Sequence, residues 1–197
     1  MIAYKGFNSD LTCTLGKGKF QYKEGVTYRE GEANCVKNGF HAAENPLDCL
    51  TYYPDWDSSV YYEVEAGGDI DEDGRDSKIA CTELTLVKKL GLIEFTRAAV
   101  EYMVRHPLRS WLERKGRVEV RKETGCPESG KALIIRGKNP KIVPVQTKAY
   151  TFTDKPGIVA LVREKADSPR IEEARLYIFG LLALKWDETG NVREIRG

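Results

Sequence analysis

The chain has 197 residues, a net charge of +1, and 41% hydrophobic against 31% charged residues, which is typical of a soluble globular protein. The length suffices for one domain or two small ones. No apolar run predicts a membrane-spanning helix, and Lys5, Asn8 and Asp10 interrupt the apolar stretch that a signal peptide needs. We therefore expect a cytoplasmic protein that does not enter a membrane.

Five cysteines are spread along the chain without a Cys-x-x-Cys pair. An odd number at wide spacing argues against a disulfide framework and against a structural zinc site. The pattern predicts buried thiols in a reducing compartment.

The small net charge hides an asymmetry between the two halves. Residues 1–76 carry 7 basic and 15 acidic side chains, a net charge of −8, and the remaining residues carry +9. Two interpretations stay open: the halves neutralise one another, within one molecule or in a dimer, or the basic half meets an acidic partner such as nucleic acid.

The chain begins with a predicted strand over residues 2–7. Gly16-Lys17-Gly18-Lys19 resembles part of a phosphate loop, but the remaining Walker spacing is missing and no long helix follows. We therefore predict a hairpin turn there, followed by a strand at residues 20–22.

The stretch from Gly39 to Tyr53 combines a short strand with a short helix. Asn45 is a good helix cap and Pro46 suits the first helical position, so a helix should begin there and end near the tyrosine pair Tyr52-Tyr53. His41 lies on the preceding strand. It is either part of a pocket wall or a buried polar group that hydrogen-bonds to backbone.

A strong strand pattern over residues 59–66 leads into an acidic segment. Asp69, Asp71 and Asp73 precede Gly74 with the spacing that opens a calcium loop. Ala80 occupies the position where such a loop has a glutamate, and the flanks are strand-like. A weak calcium site and a solvated acidic β-turn both remain open.

One long helix is predicted over Leu92 to His106, closed by Pro107, and a second short helix over Leu108 to Lys115. A β-rich tail follows. Its predicted strands are Val118–Val120, Ala132–Ile135, Ile142–Val145, Ala149–Phe152, Ile158–Val162, Leu176–Trp186 and Val192–Ile195. The last hairpin turns at residues 187–191.

These elements predict an α+β protein. It has a mixed N-terminal domain at residues 1–88, a helical segment at 89–116 and a β-rich C-terminal part at 117–197, built as a sandwich or a short solenoid.

Basic residues cluster around the end of the long helix, beside an aromatic ring that could stack on a base. This candidate interaction surface contains Arg105, Arg109, Trp111, Arg114, Lys115, Arg117, Arg121 and Lys122. The alternative is a solvated face whose bases pair with Glu113, Glu119 and Glu123.

Several N-terminal motifs resemble an uncharacterised family encoded in bacteriophages and prophages. They are Tyr4-Lys5-Gly6-Phe7, Gly39-Phe40-His41 and Pro46-Leu47-Asp48-Cys49-Leu50 with Tyr52-Tyr53. The ending Leu184-Lys185-Trp186-Asp187 with Gly190-Asn191 is similar as well. The resemblance implies a phage accessory protein in the cytoplasm of the infected bacterium. It would bind a host, phage or defence-system protein or nucleoprotein as an inhibitor.

Gly39-Phe40-His41-Ala42 with Tyr52-Tyr53 also looks like the wall of the NAD pocket in ADP-ribosyltransferases. That resemblance implies cofactor contacts from Tyr4, Tyr52 and Tyr53, with His41 and Glu65, or Glu63 in its place, as catalytic candidates. The Ser-Thr-Ser element of one branch and the His-Gly of the other are missing.

Three hypotheses follow. The first is a phage-derived, non-enzymatic inhibitor that binds a macromolecule, and it needs no cofactor. The second is an enzyme that uses NAD at the Tyr4, His41, Tyr52 and Glu65 wall. The third is nucleic-acid binding through the basic second half.

Overall fold

The computed structural model describes residues 1–16, 18–35, 37–72, 74, 76–143, 157–178 and 181–195. These residues are mostly β, with 52% in strands and 12% in two helices. The predicted α+β class with central helices is therefore wrong. Residues 59–90, which lead up to the long helix, form two long paired strands, and the described residues after them contain one long helix.

Residues 1–91 form the first of two compact units. Its elements in chain order are β1 (Ile2–Asn8), β2 (Thr12–Gly16), β3 (Gly18–Gln21), β4 (Thr27–Arg29), β5 (Phe40–Ala43), α1 (Pro46–Tyr52), β6 (Ser59–Glu72) and β7 (Lys78–Leu90). β2 and β3 form a separate two-stranded hairpin, as predicted from the glycines at positions 16 and 18. Lys17 at its tip lies outside the described residues.

Strand pairing in the first unit closes on itself. The sheet order is β4-β7-β5-β1-β6, and β6 pairs in addition with β7, so β1, β6, β7 and β5 form a ring of antiparallel neighbours. The side chains that alternate toward one side of this ring, among them Phe7, Phe40, Val64, Ile79 and Leu84, are almost fully buried. The core of the unit therefore lies inside the curved sheet.

Helix α1 begins as the sequence predicts. The Asn45 side chain accepts a hydrogen bond from Leu47 N at 3.1 Å, and Pro46 occupies the first turn. Asp48 accepts hydrogen bonds from the backbone and hydroxyl of Ser77 at 3.1 and 2.6 Å, which ties the helix to the start of β7. The cap and this link fix α1 next to β5 and β1.

Residues 92–197 form the second unit. Its described elements are α2 (Leu92–Arg105), β8 (Val118–Gly125), β9 (Ala132–Ile142), β10 (Ile158–Glu164), β11 (Ile171–Ile178), β12 (Leu181–Trp186) and β13 (Val192–Glu194). The strands form one sheet in the order β13-β12-β11-β10-β9-β8, with β8, β9 and β10 parallel.

The long helix is confirmed, and it explains why the second unit is not the predicted sandwich or solenoid. The buried face of α2, which includes Phe95, Ala99, Val100 and Met103, packs against β9, β10 and β11. The helix thus covers apolar side chains that a second sheet would cover in a sandwich.

The predicted helix at Leu108 to Lys115 is wrong, because the described segment is irregular. Arg114 and Val120 exchange backbone hydrogen bonds of 2.9 and 3.0 Å, and the ring of Trp111 lies 5.4 Å from the Arg136 guanidinium. These contacts hold the segment against the sheet in a conformation that is not helical.

The single strand predicted over residues 176–186 is also wrong, because β11 ends at Ile178 and β12 begins at Leu181. The final hairpin at residues 187–191 is confirmed by the pairing of β12 with β13. The strand predicted at 149–152, and the end of the one predicted at 142–145, lie outside the described residues.

Candidate ligand-binding site

A cavity of about 640 Å³ lies in the first unit. Its walls come from β1, β5, α1, the β2–β3 hairpin and the segment before β5. The volume falls within the ~300–1,000 Å³ that is usual for small-molecule sites. The cavity is therefore large enough to hold an organic ligand.

The cavity lies where β1 and β5 separate. These strands pair at the single position Tyr4–Ala43, whereas β1 pairs with β6 along its whole length. Beyond that pair the ammonium group of Lys5 donates a hydrogen bond to the backbone oxygen of His41. A side chain thus bridges the two strands where the backbone ladder does not continue.

The close approach of α1 to β1 depends on Gly6. A Cβ atom at this position would lie 2.7 Å from Cδ2 of Tyr53, which is too close for any real contact. The hydroxyl of Tyr61 donates to the backbone oxygen of Tyr53 and fixes the end of the helix there. The tyrosine ring can therefore line the cavity only because residue 6 has no side chain.

Aromatic rings form one wall of the cavity. The ring centroids of Phe20 and Tyr22 are 4.6 Å apart, and both rings lie about 6 Å from that of Phe40, at 5.9 and 6.3 Å. Tyr28 supports Tyr22 from behind at 5.0 Å. Such a wall suits the flat, apolar part of a ligand.

Lys5 is the unusual residue of the site. Its side chain lines the cavity although the residue is only 9% exposed, and its ammonium group lies 5.6 Å from the ring centroids of Phe7 and Tyr22. Among the residues that the structure describes, no carboxylate forms an ion pair with it. A buried lysine is normally paired with an acid.

The ionisable groups around Lys5 do not supply the missing negative charge. Burial raises the pKa of the Cys49 thiol to about 12 and that of the Cys81 thiol to about 11. Burial also raises the pKa values of Tyr22 and Tyr53 well above their usual value. All four groups are neutral at pH 7, so none of them supplies a negative charge to Lys5.

Further positive charge lines the same cavity. Lys37 and Lys78 are lining residues, and the ammonium of Lys78 donates to the Tyr52 hydroxyl at 2.9 Å. Glu30 supplies the one carboxylate among the described lining residues, and its Oε2 accepts a hydrogen bond from Gly39 N at 3.1 Å. In the described part of the chain, three lysines and one glutamate line the cavity, and this excess of lysines favours negatively charged ligands.

His41 is half-buried at the edge of this site. Burial, and then the positive charges of Lys5 and Lys78, hold the pKa of His41 below its usual value. The imidazole is therefore neutral at pH 7, where it can accept or donate a hydrogen bond.

The structure brings most of the sequence-predicted pocket residues together. Tyr4, His41, Tyr52 and Tyr53 all line the cavity. Glu65 does not: it is exposed on β6, where it pairs with Ile2 of β1. Glu65 therefore does not provide a catalytic carboxylate in this cavity.

Sequence analysis missed Lys5 as a site residue. The signal was present, because residues 3, 5 and 7 of a strand share one face and the neighbours on that face are Ala3 and Phe7. A lysine between two core residues of one strand face points toward the core or toward a cavity in it.

The acidic segment is part of a strand. Asp69 and Asp71 lie on β6, and the carboxylate of Asp71 accepts a hydrogen bond from Cys35 N at 2.7 Å. Asp73, the third predicted calcium ligand, lies outside the described residues. In the described part of the chain, no three His, Cys, Asp or Glu side chains are placed to hold a metal ion.

The predicted basic surface lies within the second unit. Some of its charges are neutralised: Arg105 pairs with Glu101 at 2.5 Å and Arg121 with Glu119 at 3.2 Å. Ion pairs to Arg109, Lys115, Arg117 or Lys122 are not found among the described residues. The cluster is thus partly paired within the unit and partly open to solvent.

Residues 1–98 match the model of an uncharacterised domain family, described as Domain of unknown function (DUF7666). No curated protein and no solved structure matches the chain. In the described part of the chain, neither helix is both long and apolar enough to cross a membrane.

Proposed function

We propose that the protein is a binding protein and that its first unit takes a small organic molecule in the cavity between β1, β5 and α1. The observation that carries this proposal is the cavity itself, about 640 Å³ in volume and lined by Phe20, Tyr22 and Phe40 on one side. Concave, largely apolar sites with a few polar groups are where proteins bind small molecules.

Binding is favoured over catalysis by the chemistry of the lining. An NAD-using transferase needs a carboxylate to stabilise the positive charge that develops on the ribose. Glu65 lies outside the cavity, and the Glu30 carboxylate already accepts a backbone hydrogen bond. NAD therefore enters as a candidate ligand, and no reaction is assigned to the site.

The resemblance of the N-terminal motifs to phage and prophage proteins extends this proposal to a biological setting. The protein would act as a phage-encoded accessory protein in the cytoplasm of the infected bacterium. By binding its ligand it would deny that ligand to a host or defence-system component.

A ligand screen by NMR, followed by isothermal titration of the hits and of NAD, tests the cavity. Phe20→Ala removes the centre of the aromatic wall, and we expect it to weaken cavity ligands about tenfold. Val87→Ala, an exposed residue of β7 outside the cavity, is the matched control. No binding at millimolar concentrations, or equal affinity in both variants, would overturn the proposal.

A second candidate function, interaction with a protein partner, is favoured by the irregular segment after α2. Leu108 is 70% exposed and Leu112 is 83% exposed, and the cations Arg109, Lys115 and Arg117 lie close to them in sequence. Exposed leucines favour a protein partner with an acidic surface over nucleic acid, and one face of Trp111 is occupied by Arg136.

This second candidate is tested by affinity capture from bacterial lysate and by sedimentation, which also detects a dimer. We expect a specific partner to be lost in the double variant Leu112→Ser/Arg117→Glu. It should be kept in Arg193→Glu, a charge reversal on exposed β13. Capture that is equal for both variants, or that depends only on nucleic acid, would contradict it.

A further inference from the structure

We propose that the cavity ligand is an anion with a flat ring, of the nucleotide class, and that Lys5 binds its phosphate. This inference rests on the proposed function, because it names the chemistry of the molecule that the cavity takes.

The burial of Lys5 is the first step of the argument. Lys5 is only 9% exposed as a residue, so its side chain has lost much of its contact with water, which is unfavourable for an ammonium group unless a negative group compensates it. The described part of the chain offers Lys5 one backbone carbonyl, that of His41, and the faces of two rings. None of these groups carries a full negative charge. A ligand that binds in the cavity can supply one.

The hydrogen-bonding capacity of Lys5 points the same way. An ammonium group has three N–H donors, and one of them is used by the His41 carbonyl. The remaining two can be accepted by oxygens of a phosphate in the cavity that Lys5 lines. Lys37 lines the same cavity, so a group with more than one negative charge fits better than a single carboxylate.

The aromatic wall of the cavity favours a ligand that carries a flat ring in addition to its negative charge. Tyr22 contacts both parts of the site, since its ring lies 5.6 Å from the Lys5 ammonium and 4.6 Å from the ring of Phe20. A nucleotide with its phosphate at Lys5 can therefore place on Phe20 the base that its ribose carries. A nucleobase is flat and apolar on its faces, as this wall requires.

The effect of replacing Lys5 on thermal stability distinguishes a ligand-binding role of this residue from a structural role. If the cation is held for a ligand, Lys5→Met should raise the melting temperature of the protein without ligand, because a buried charge that lacks a carboxylate partner among the described residues is removed. If the contacts with Phe7, Tyr22 and His41 are its purpose, the same variant should lower the melting temperature.

The experiment compares a nucleotide with its uncharged nucleoside. Isothermal titration with AMP and UMP, and with adenosine and uridine, is made on the wild-type protein, on Lys5→Met and on Lys89→Met. The last is a matched control, because Lys89 is an exposed lysine of β7 outside the cavity. Lys5→Gln repeats the test if the methionine variant does not fold.

We expect the wild-type protein to bind at least one nucleotide about tenfold or more tightly than its nucleoside, which corresponds to one charge-assisted contact. Lys5→Met should abolish this preference while its melting temperature without ligand rises. Lys89→Met should keep the preference.

The failure of this inference is distinguishable from the failure of the proposed function. Equal binding of nucleoside and nucleotide, or a preference that survives in Lys5→Met, overturns the inference and leaves the proposed function standing. The inference also fails, and the proposed function stands, if no nucleotide binds but neutral ligands bind and lose affinity in Phe20→Ala. No binding of any compound overturns both.

Discussion

Among the residues that the structure describes, each unit contains one buried cation, and the two cations differ in what surrounds them. Arg136 in the second unit is 2% exposed, and its Nε donates to Glu164 at 2.8 Å while Nη2 donates to the carbonyl oxygens of Pro107 and Pro169 at 2.7 and 3.4 Å. Lys5 in the first unit is nearly as buried but has one carbonyl partner and no carboxylate among the described residues.

The difference teaches how to separate a structural charge from a binding charge. A buried cation that is paired with a carboxylate and with carbonyl groups of its own chain is part of the fold, and its removal leaves these groups without their partner. A buried cation with unused donors beside a cavity destabilises the unit that carries it, and such residues persist where they bind something. Arg136 is of the first kind, and we propose that Lys5 is of the second.

The largest expected effect is the loss of Arg136. Arg136→Met leaves the Glu164 carboxylate and two backbone carbonyls without their donor, and we expect the free energy of unfolding of the second unit to fall by about 3–5 kcal/mol. Chemical denaturation followed by the fluorescence of Trp111 and Trp186, the tryptophans of this unit, measures it.

Arg193→Met is the control, since Arg193 is exposed on β13. If both variants are equally stable, Arg136 is not a structural cation and the contrast with Lys5 disappears. Hydrogen exchange of peptides from residues 1–91 should be unchanged in either variant.

The next effect concerns the wall between β1 and α1. Gly6→Ala places a Cβ atom 2.7 Å from Tyr53, so the ring and the end of α1 must move. Overpacking of this kind destabilises by about 1–3 kcal/mol, and we expect the change to be confined to the first unit. Thermal unfolding together with hydrogen exchange in residues 40–62 measures it.

Gly31→Ala provides the comparison, because a Cβ atom there meets nothing within 4 Å. It should be neutral or nearly so. A Gly6→Ala variant as stable as Gly31→Ala, with unchanged ligand affinity, would show that Tyr53 does not need the space at position 6.

Local signals in the sequence predicted local structure well. The Asn45-Pro46 cap fixed the start of α1, and the spacing of apolar residues in Leu92–Arg105 predicted α2, because both depend on neighbours within one or two turns. The irregular segment after α2 depends instead on Arg136 and Val120, which lie further along the chain. Spacing within residues 108–115 could not reveal contacts with those two residues.

The candidate site was predictable only in part, because a local motif names residues but does not reveal long-range strand pairing. Tyr4, His41 and Tyr52 were named from a motif, and they do meet at one cavity. Glu65 was named from the same resemblance and lies elsewhere, since the register of β6 against β1 places it opposite Ile2. That register follows from long-range strand pairing, which the motif does not encode.

The smallest effect is on His41, and it tests whether the Lys5 charge acts on the site. Burial and the charges of Lys5 and Lys78 lower the pKa of His41 from its usual 6.5. The unfolded chain takes up the proton near pH 6.5 and the folded unit only at lower pH. Stability is therefore full above this range and falls as the pH drops through it toward the folded-state pKa.

Lys5→Met removes one of the two charges, so we expect the pKa of His41 to rise toward its usual value and the loss of stability on acidification to become smaller. Titration of the imidazole carbon resonances by NMR measures the pKa directly, and Lys89→Met should leave it unchanged. An anion at Lys5 should raise the His41 pKa in the same direction, because it offsets the same charge. The contrary outcome is a His41 pKa that changes neither in Lys5→Met nor with a bound nucleotide. The charge of Lys5 would then be too far from the imidazole to govern the electrostatics of the cavity. The contrast between Lys5 and Arg136 would then rest on hydrogen bonding alone.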